Sequence, residues 1–167
     1  SRKTGGQWSY LQKAAISTDG DERSLFIAAD NRTLYFASDS YGGMGGLDIF
    51  KTVLNEDGAF GDIYNLGAPF NTARDDYGFI ITASGREAYF VRDGDIYFAD
   101  LAEADPRIRP LPTLIIRGRV TDETGAPRSA RVRLLDAQSA TLLAQRTANT
   151  LSGEYAIAVA RPSGSLE

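Results

Sequence analysis

Apolar residues along this chain fall in short runs broken by Gly, Asp, Asn and Ser, and the first sixty positions show no helical period. Residues 24–28 (SLFIA) and 34–37 (LYFA) flank the turn Asp30-Asn31-Arg32-Thr33, which predicts a hairpin. Residues 47–54 form a further apolar run, closed by the turn residues Asn55-Glu56-Asp57-Gly58. Residues 8–15 are expected to supply one more strand, with Leu11 facing inward, before the turn signal at residues 18–22. That is four strands in about fifty residues, the spacing of a propeller blade.

The unit then recurs. Residues 34–50 read LYFASDSYGGMGGLDIF and residues 88–98 read AYFVRDGDIYF. An offset of 54 carries Asp21 onto Asp75 and Tyr35 onto Tyr89, whereas 47 carries Asp48 onto Asp95. The difference lies in the loop holding Gly42, Gly43, Gly45 and Gly46, which is shorter in the second copy. Strands kept while a loop changes length is the behaviour of a repeat on a common scaffold. The expected boundaries are residues 8–58 and 59–101 for the two units.

Residues 102–113 carry three prolines among charges and predict a linker. Beyond them Ile116, Gly118 and Val120 alternate with Arg117, Arg119 and Thr121, and Arg131 and Arg133 alternate with Val132 and Leu134. Residues 142–146 and 155–159 supply further strands. The expected class is all-β: about two four-stranded units, then a small, incomplete β-sandwich over residues 114–167.

Composition narrows the chemistry. The chain has 167 residues, 43% of them hydrophobic, enough for a core. Cysteine and histidine are both absent, which removes disulfides, thiolate metal sites and the commonest general base. The net charge of −4 is uneven: residues 1–110 hold 17 acids and 11 bases, residues 111–167 hold 5 acids and 7 bases. An acidic first part argues against a nucleic-acid partner. No apolar run of about eighteen residues is present to span a bilayer as a helix.

The candidate sites each have a plainer alternative. Asp48 and Asp95 are either ligand carboxylates or acceptors that fix the turn before a strand; recurrence in both units favours the turn role. The acidic clusters at residues 19–22, 75–76 and 93–95 suit calcium by chemistry, but none has the spaced loop of a dedicated calcium site, and no cofactor is expected. The four glycines lack the helix that a phosphate cradle needs, so they are expected to supply positive φ. Tyr35, Phe36, Tyr89 and Phe90 are expected to pack between units rather than form a stacking platform. Tyr41 and Met44, at the tip of the glycine loop, are the expected exposed contacts for a partner. Arg117, Arg119, Arg131 and Arg133 are candidates for a basic stripe on two strands that would pair, against a solvated face. No Gly-x-Ser-x-Gly elbow occurs, and no catalytic residue is assigned.

The Leu-Tyr-Phe strand, the Ser-Asp and Gly-Gly loop and the Asp-Ile-Phe/Tyr strand resemble the repeats of TolB-like β-propellers. The run Gly118-x-Val120-x-Asp122-x-x-Gly125-x-Pro127, with Val132-x-Leu134 and Gly153-x-Tyr155-x-Ile157, resembles the carboxypeptidase regulatory-like domain, a transthyretin-like sandwich. Together this order is similar to OmpA-family periplasmic proteins of the Bacteroidota, including PorE-like components of the type nine secretion system, of which the chain would be a fragment. The resemblance implies a non-enzymatic scaffold, periplasmic and outer-membrane-associated, exported by a signal outside this chain. It would dock other envelope proteins and reach peptidoglycan through a further domain. The alternatives are a secreted or surface glycan-binding module and an accessory region of a propeller-containing hydrolase.

Overall fold

A computed structural model describes residues 12–55 and 57–159 in full, with the backbone of residues 3–4, 7–8 and 160. Among these residues the regular structure is β throughout, apart from one turn of 3-10 helix. The sheets are antiparallel and none closes on itself. Strands β1 (Lys3–Thr4) and β2 (Gln7–Trp8) pair as a short ladder. The strand expected over residues 8–15 does not extend through residues 12–15, which are coil and turn; Leu11 lies outside the described residues.

A first sheet has the order β3 (Glu22–Ile27), β4 (Thr33–Ser38), β5 (Asp48–Val53), β6 (Tyr64–Asn65). A second has the order β7 (Asp76–Ile81), β8 (Glu87–Arg92), β9 (Asp95–Asp100). The strand bounds keep the sequence offsets of 54, 54 and 47 residues. The backbone repeats in finer detail too. Both ladders shift register at one place, between Arg23 and Phe26 and between Tyr77 and Ile80. The same step in each bulge has positive φ, 53° at Ser24 and 68° at Gly78. One boundary moves: the sequence assigns residues 63–66 to the second unit, yet β6 pairs with β5 through Phe50↔Asn65 and Lys51↔Tyr64. The first sheet therefore has four strands and the second three.

Strand β4 is buried along its whole length, so its two faces feed two cores. Tyr35, on one side with Ile49, meets Phe79, Ile81, Ala88 and Phe90 of the second sheet. The Tyr35 and Phe79 rings are 4.8 Å apart, and Phe70 stands edge-on 5.8 Å from both Phe79 and Phe90. On the other side Leu34, Phe36 and Phe50 cluster with Ile16, against Tyr41, Phe60 and Ile63. Asn71 stitches the sheets together, accepting from Ile49 N at 2.8 Å and donating to Ile49 O at 2.9 Å.

The expected linker is a docked strap. Asp105 caps the 3-10 turn Pro106–Ile108, and Ile108 enters the inter-sheet core. The Tyr35 hydroxyl donates to Ile108 O at 2.7 Å, and Lys51 Nζ donates to Arg107 O at 2.6 Å and Arg109 O at 2.5 Å. Leu111 N donates to Asp30 Oδ2 at 2.8 Å. Burial raises the Tyr35 phenol and lowers the Lys51 ammonium from their ordinary pKa values, since each loses water from its charged form. The carbonyls that the sheet side chains bind are those of Arg107, Ile108 and Arg109, between Pro106 and Pro110.

In the last part β10 (Thr113–Arg119) pairs with β13 (Glu154–Ala160), and β11 (Arg131–Leu135) with β12 (Leu142–Thr147). The two ladders are separate. Ile157 and Ala148 are the buried apolar residues among those described here, while Leu135, Leu142 and Leu143 are exposed.

Phe79→Ala is expected to lower unfolding free energy by about 3–5 kcal/mol, measured by urea denaturation. Leu151→Ala, at an exposed turn, should stay within about 0.5 kcal/mol.

Candidate functional site

Residues 39–47 join β4 to β5, whereas two residues, Asp93 and Gly94, join β8 to β9. Both of those have positive φ, 51° and 86°, the geometry of a tight hairpin turn. The longer loop is packed. A Cβ on Gly45 would lie 2.2 Å from Arg74 O and 2.4 Å from Thr72 O, and one on Gly46 2.2 Å from Asp75 Oδ1. Leu47 N donates to Asp75 Oδ1 at 2.9 Å, and Asp76 N donates to Leu47 O at 2.7 Å. Of the four glycines only Gly42 has positive φ, at 71°. The expected conformational role therefore applies to Gly42; at Gly45 and Gly46 the requirement is the close approach of residues 72–75.

Asp48 accepts from Met44 N at 2.9 Å and Gly45 N at 3.0 Å through Oδ2, so it fixes the turn. Its Oδ1 is buried without a hydrogen-bond partner among the described residues. Asp95 is exposed, and the turn before it is too short to need a side-chain acceptor. Tyr41, expected as an exposed contact, is instead half-buried: its ring packs 5.8 Å from Phe36 and 5.5 Å from Phe50, and its hydroxyl donates to Ile16 O. Met44 remains exposed.

The acidic residues beside these loops form a repeated structural device. Glu22 accepts from Thr18 N at 3.0 Å and Thr18 Oγ1 at 2.5 Å; Asp76, its counterpart, accepts from Thr72 N at 2.7 Å and Thr72 Oγ1 at 2.8 Å. The Thr18 hydroxyl is the main cause that holds the Glu22 carboxyl below its ordinary pKa. In the second copy Arg92 Nε donates to Asp76 Oδ1 at 2.6 Å, and its guanidinium also reaches Pro69 O and Phe70 O. The first copy has Ser38 at that position, and the Tyr41 hydroxyl caps Ile16 O, the counterpart of Phe70 O. Asp75 and Asp93 are likewise directed at Leu47 N and Arg74. No group of three or more His, Cys, Asp or Glu converges on a metal-sized site among the described residues.

The four arginines do not form one stripe, because β10 and β11 do not pair. Arg117 and Arg119 lie opposite Ala156 and Glu154, whereas Arg131 and Arg133 lie opposite Thr147 and Gln145. Arg119 Nε donates to Ser152 O at 2.8 Å beside an open cavity of about 710 Å³ that Arg117 also lines.

The aromatic strand residues divide. Tyr35 and Phe90 are buried between the two sheets, Phe36 is buried in the cluster on the other face of the first sheet, and Tyr89 is exposed on the outer face of the second sheet. Ile80, Ile96 and Phe98 share that face, by the register Ile80↔Tyr89, Tyr89↔Phe98 and Val91↔Ile96. This apolar face is the feature sequence reasoning missed. Its signal was present: residues 88–91 and 96–99 are continuous apolar runs, and after residue 101 the repeat gives way to the proline strap.

Comparison with protein-family models, with curated proteins and with solved structures finds no match. No helix among the described residues is long and apolar enough to cross a membrane.

Gly45→Ala is expected to cost about 2–3 kcal/mol, because backbone must move, and Gly42→Ala, where no atom is within reach of a Cβ, about 1 kcal/mol for its backbone conformation alone. The difference is read from urea midpoints. Asp76→Asn, which leaves Arg92 half-buried without its carboxylate, should cost about 3 kcal/mol, against less than about 0.5 kcal/mol for Asp95→Asn.

Proposed function

We propose that the chain is a non-enzymatic protein-interaction module of the cell envelope, built from two blade-like units of a TolB-like propeller and a carboxypeptidase regulatory-like sandwich. The observation that carries the interaction part is the outer face of the second sheet, where Ile80, Tyr89, Ile96 and Phe98 stand together in solvent. Contiguous exposed apolar surface marks a protein contact. Glu22, Asp48 and Asp76 are engaged with backbone amides, a threonine hydroxyl or arginine. The envelope setting is supported by the sequence resemblance, including the order of units. A periplasmic, outer-membrane-associated scaffold of a secretion or peptidoglycan-anchoring assembly fits both.

The glycan-binding alternative asks for rings that share one flat surface. The Tyr89 and Phe98 rings are inclined at 58°, and Tyr97 lies on the opposite face from Tyr89 by register. That geometry suits interdigitation with another sheet better than stacking on a sugar.

An antibody raised against the chain, applied to fractionated source cells, should find the antigen in periplasmic and outer-membrane fractions, in a complex larger than its own polypeptide. Recovery in the cytosol as a free polypeptide would overturn the proposal. A glycan array and a panel of glycosidase substrates should give neither binding nor turnover.

A further inference from the structure

The inter-sheet core is an internal record of what these faces bind. The inner face of the first sheet carries Phe26, Tyr35 and Ile49, and it is covered by Phe79, Ile81, Ala88 and Phe90 of the second. The repeat offsets carry Phe26, Tyr35 and Ile49 onto Ile80, Tyr89 and Ile96, the exposed face of the second sheet. They carry Phe79 and Ile81 back onto Leu25 and Ile27 of the first sheet. Phe79 and Ile81 are 1% and 6% exposed, whereas Leu25 and Ile27 are 63% and 62% exposed. Ile49 is 1% exposed and its counterpart Ile96 is 77% exposed.

Each sheet therefore leaves exposed the counterpart of one of the two faces that meet between the sheets. Leu25 and Ile27 border an open groove of about 730 Å³ that continues over Leu34, Phe36, Ile16 and Phe60. The segment before it is already set as in the second copy: Ile16 is buried at the position equivalent to Phe70. Because they are the counterparts of two faces that pack against each other inside the chain, these two exposed faces are complementary to each other.

We propose that a second copy of this chain is the occupant: the outer face of its first sheet, at Leu25 and Ile27, seats on the outer face of the second sheet of its neighbour, at Ile80, Tyr89 and Ile96. The contact repeats the one inside the chain, with Tyr89 of one copy on Leu25 of the next where Tyr35 meets Phe79. It is heterologous, head to tail, so it propagates until the rotation closes a ring or the chain of copies is capped. Propeller rings take four to eight blades, so two to four copies would close one. This inference rests on the strand repeat and not on the envelope setting, so either can fail without the other.

The test uses the whole chain in solution, with mass measured by light scattering after gel filtration over a concentration series. The wild type is expected to associate. Ile96→Asp and Ile27→Asp, each at an already exposed strand position, should each be monomeric alone, with circular dichroism unchanged. Mixed in equal amounts they should give a dimer and nothing larger, because each brings one intact face of opposite kind. A wild type that stays monomeric throughout, variants that associate as the wild type does, or a mixture that stays monomeric would each overturn the proposal. If either aspartate variant is unfolded, cysteines placed singly in this cysteine-free chain serve instead. A short bis-maleimide should join Tyr89→Cys chains to Leu25→Cys chains and should not join either kind to itself; equal cross-linking in all three mixtures would overturn the proposal.

Discussion

Tyr35 is the point on which the first hundred residues depend. Its ring has no solvent exposure and lies 4.8 Å from Phe79, while its hydroxyl donates to Ile108 O on the strap. A phenol in that position needs an acceptor, because an unsatisfied buried hydroxyl costs about 1–3 kcal/mol. Ile108 O on the strap is the acceptor that the structure supplies. The strap must therefore come back across the sheets. One side chain thus fixes sheet on sheet and strap on both, and Lys51 and Asp30 secure the strap on either side of it.

Around that point the repeat conserves backbone and varies side chains. Both copies keep the bulge, the positive φ within it and the threonine that binds an acidic residue. The cation at Arg92 has no counterpart in the first copy, where a neutral hydroxyl, Tyr41, reaches the equivalent carbonyl from the longer loop. The loop's length is thus tied to its function: it must be long enough to return Tyr41 to Ile16 and flat enough, at Gly45 and Gly46, to lie on residues 72–75. The short second hairpin has Arg92 to do the same work and needs neither.

Most strand positions after residue 20 were legible because period-two runs and turn residues are local signals; the register shifts at Ser24 and Gly78 and the pairing of β6 with β5 were not. The repeat was legible because aromatic strands tolerate little change. What was not legible is which surfaces meet. Tyr35 and Tyr89 occupy equivalent repeat positions, each followed by a phenylalanine, and the presence of a following sheet separates the buried ring from the exposed one. The glycines were read through backbone freedom, whereas three-dimensional proximity to Thr72 and Arg74 is what excludes a Cβ. The strap was read as a linker because proline disrupts ladders; that it offers carbonyls to Tyr35 and Lys51 is a tertiary fact. The arginines were placed on one stripe by alternation alone, and the pairing of β10 with β13 separates them.

A sheet with one wet face alternates apolar and polar residues, whereas a sheet covered on both faces reads as a continuous apolar run. Strand β4, LYFA at its centre, is covered on both faces and has the continuous pattern. Strand β8, AYFV, has it as well, yet only its Ala88 and Phe90 are buried, and in strand β9, IYFA, the residues Ile96, Tyr97 and Phe98 are all exposed. Strand propensity does not require it, since threonine on the outer positions would serve the ladder equally well. Nor does the inter-sheet core, which uses only Phe90 and Ala88 from β8. The pattern is that of a middle layer. At Ile80, Tyr89 and Ile96 the outer face carries the counterparts of Phe26, Tyr35 and Ile49, which hold the two sheets together, while Phe98 stands where the first sheet has Lys51.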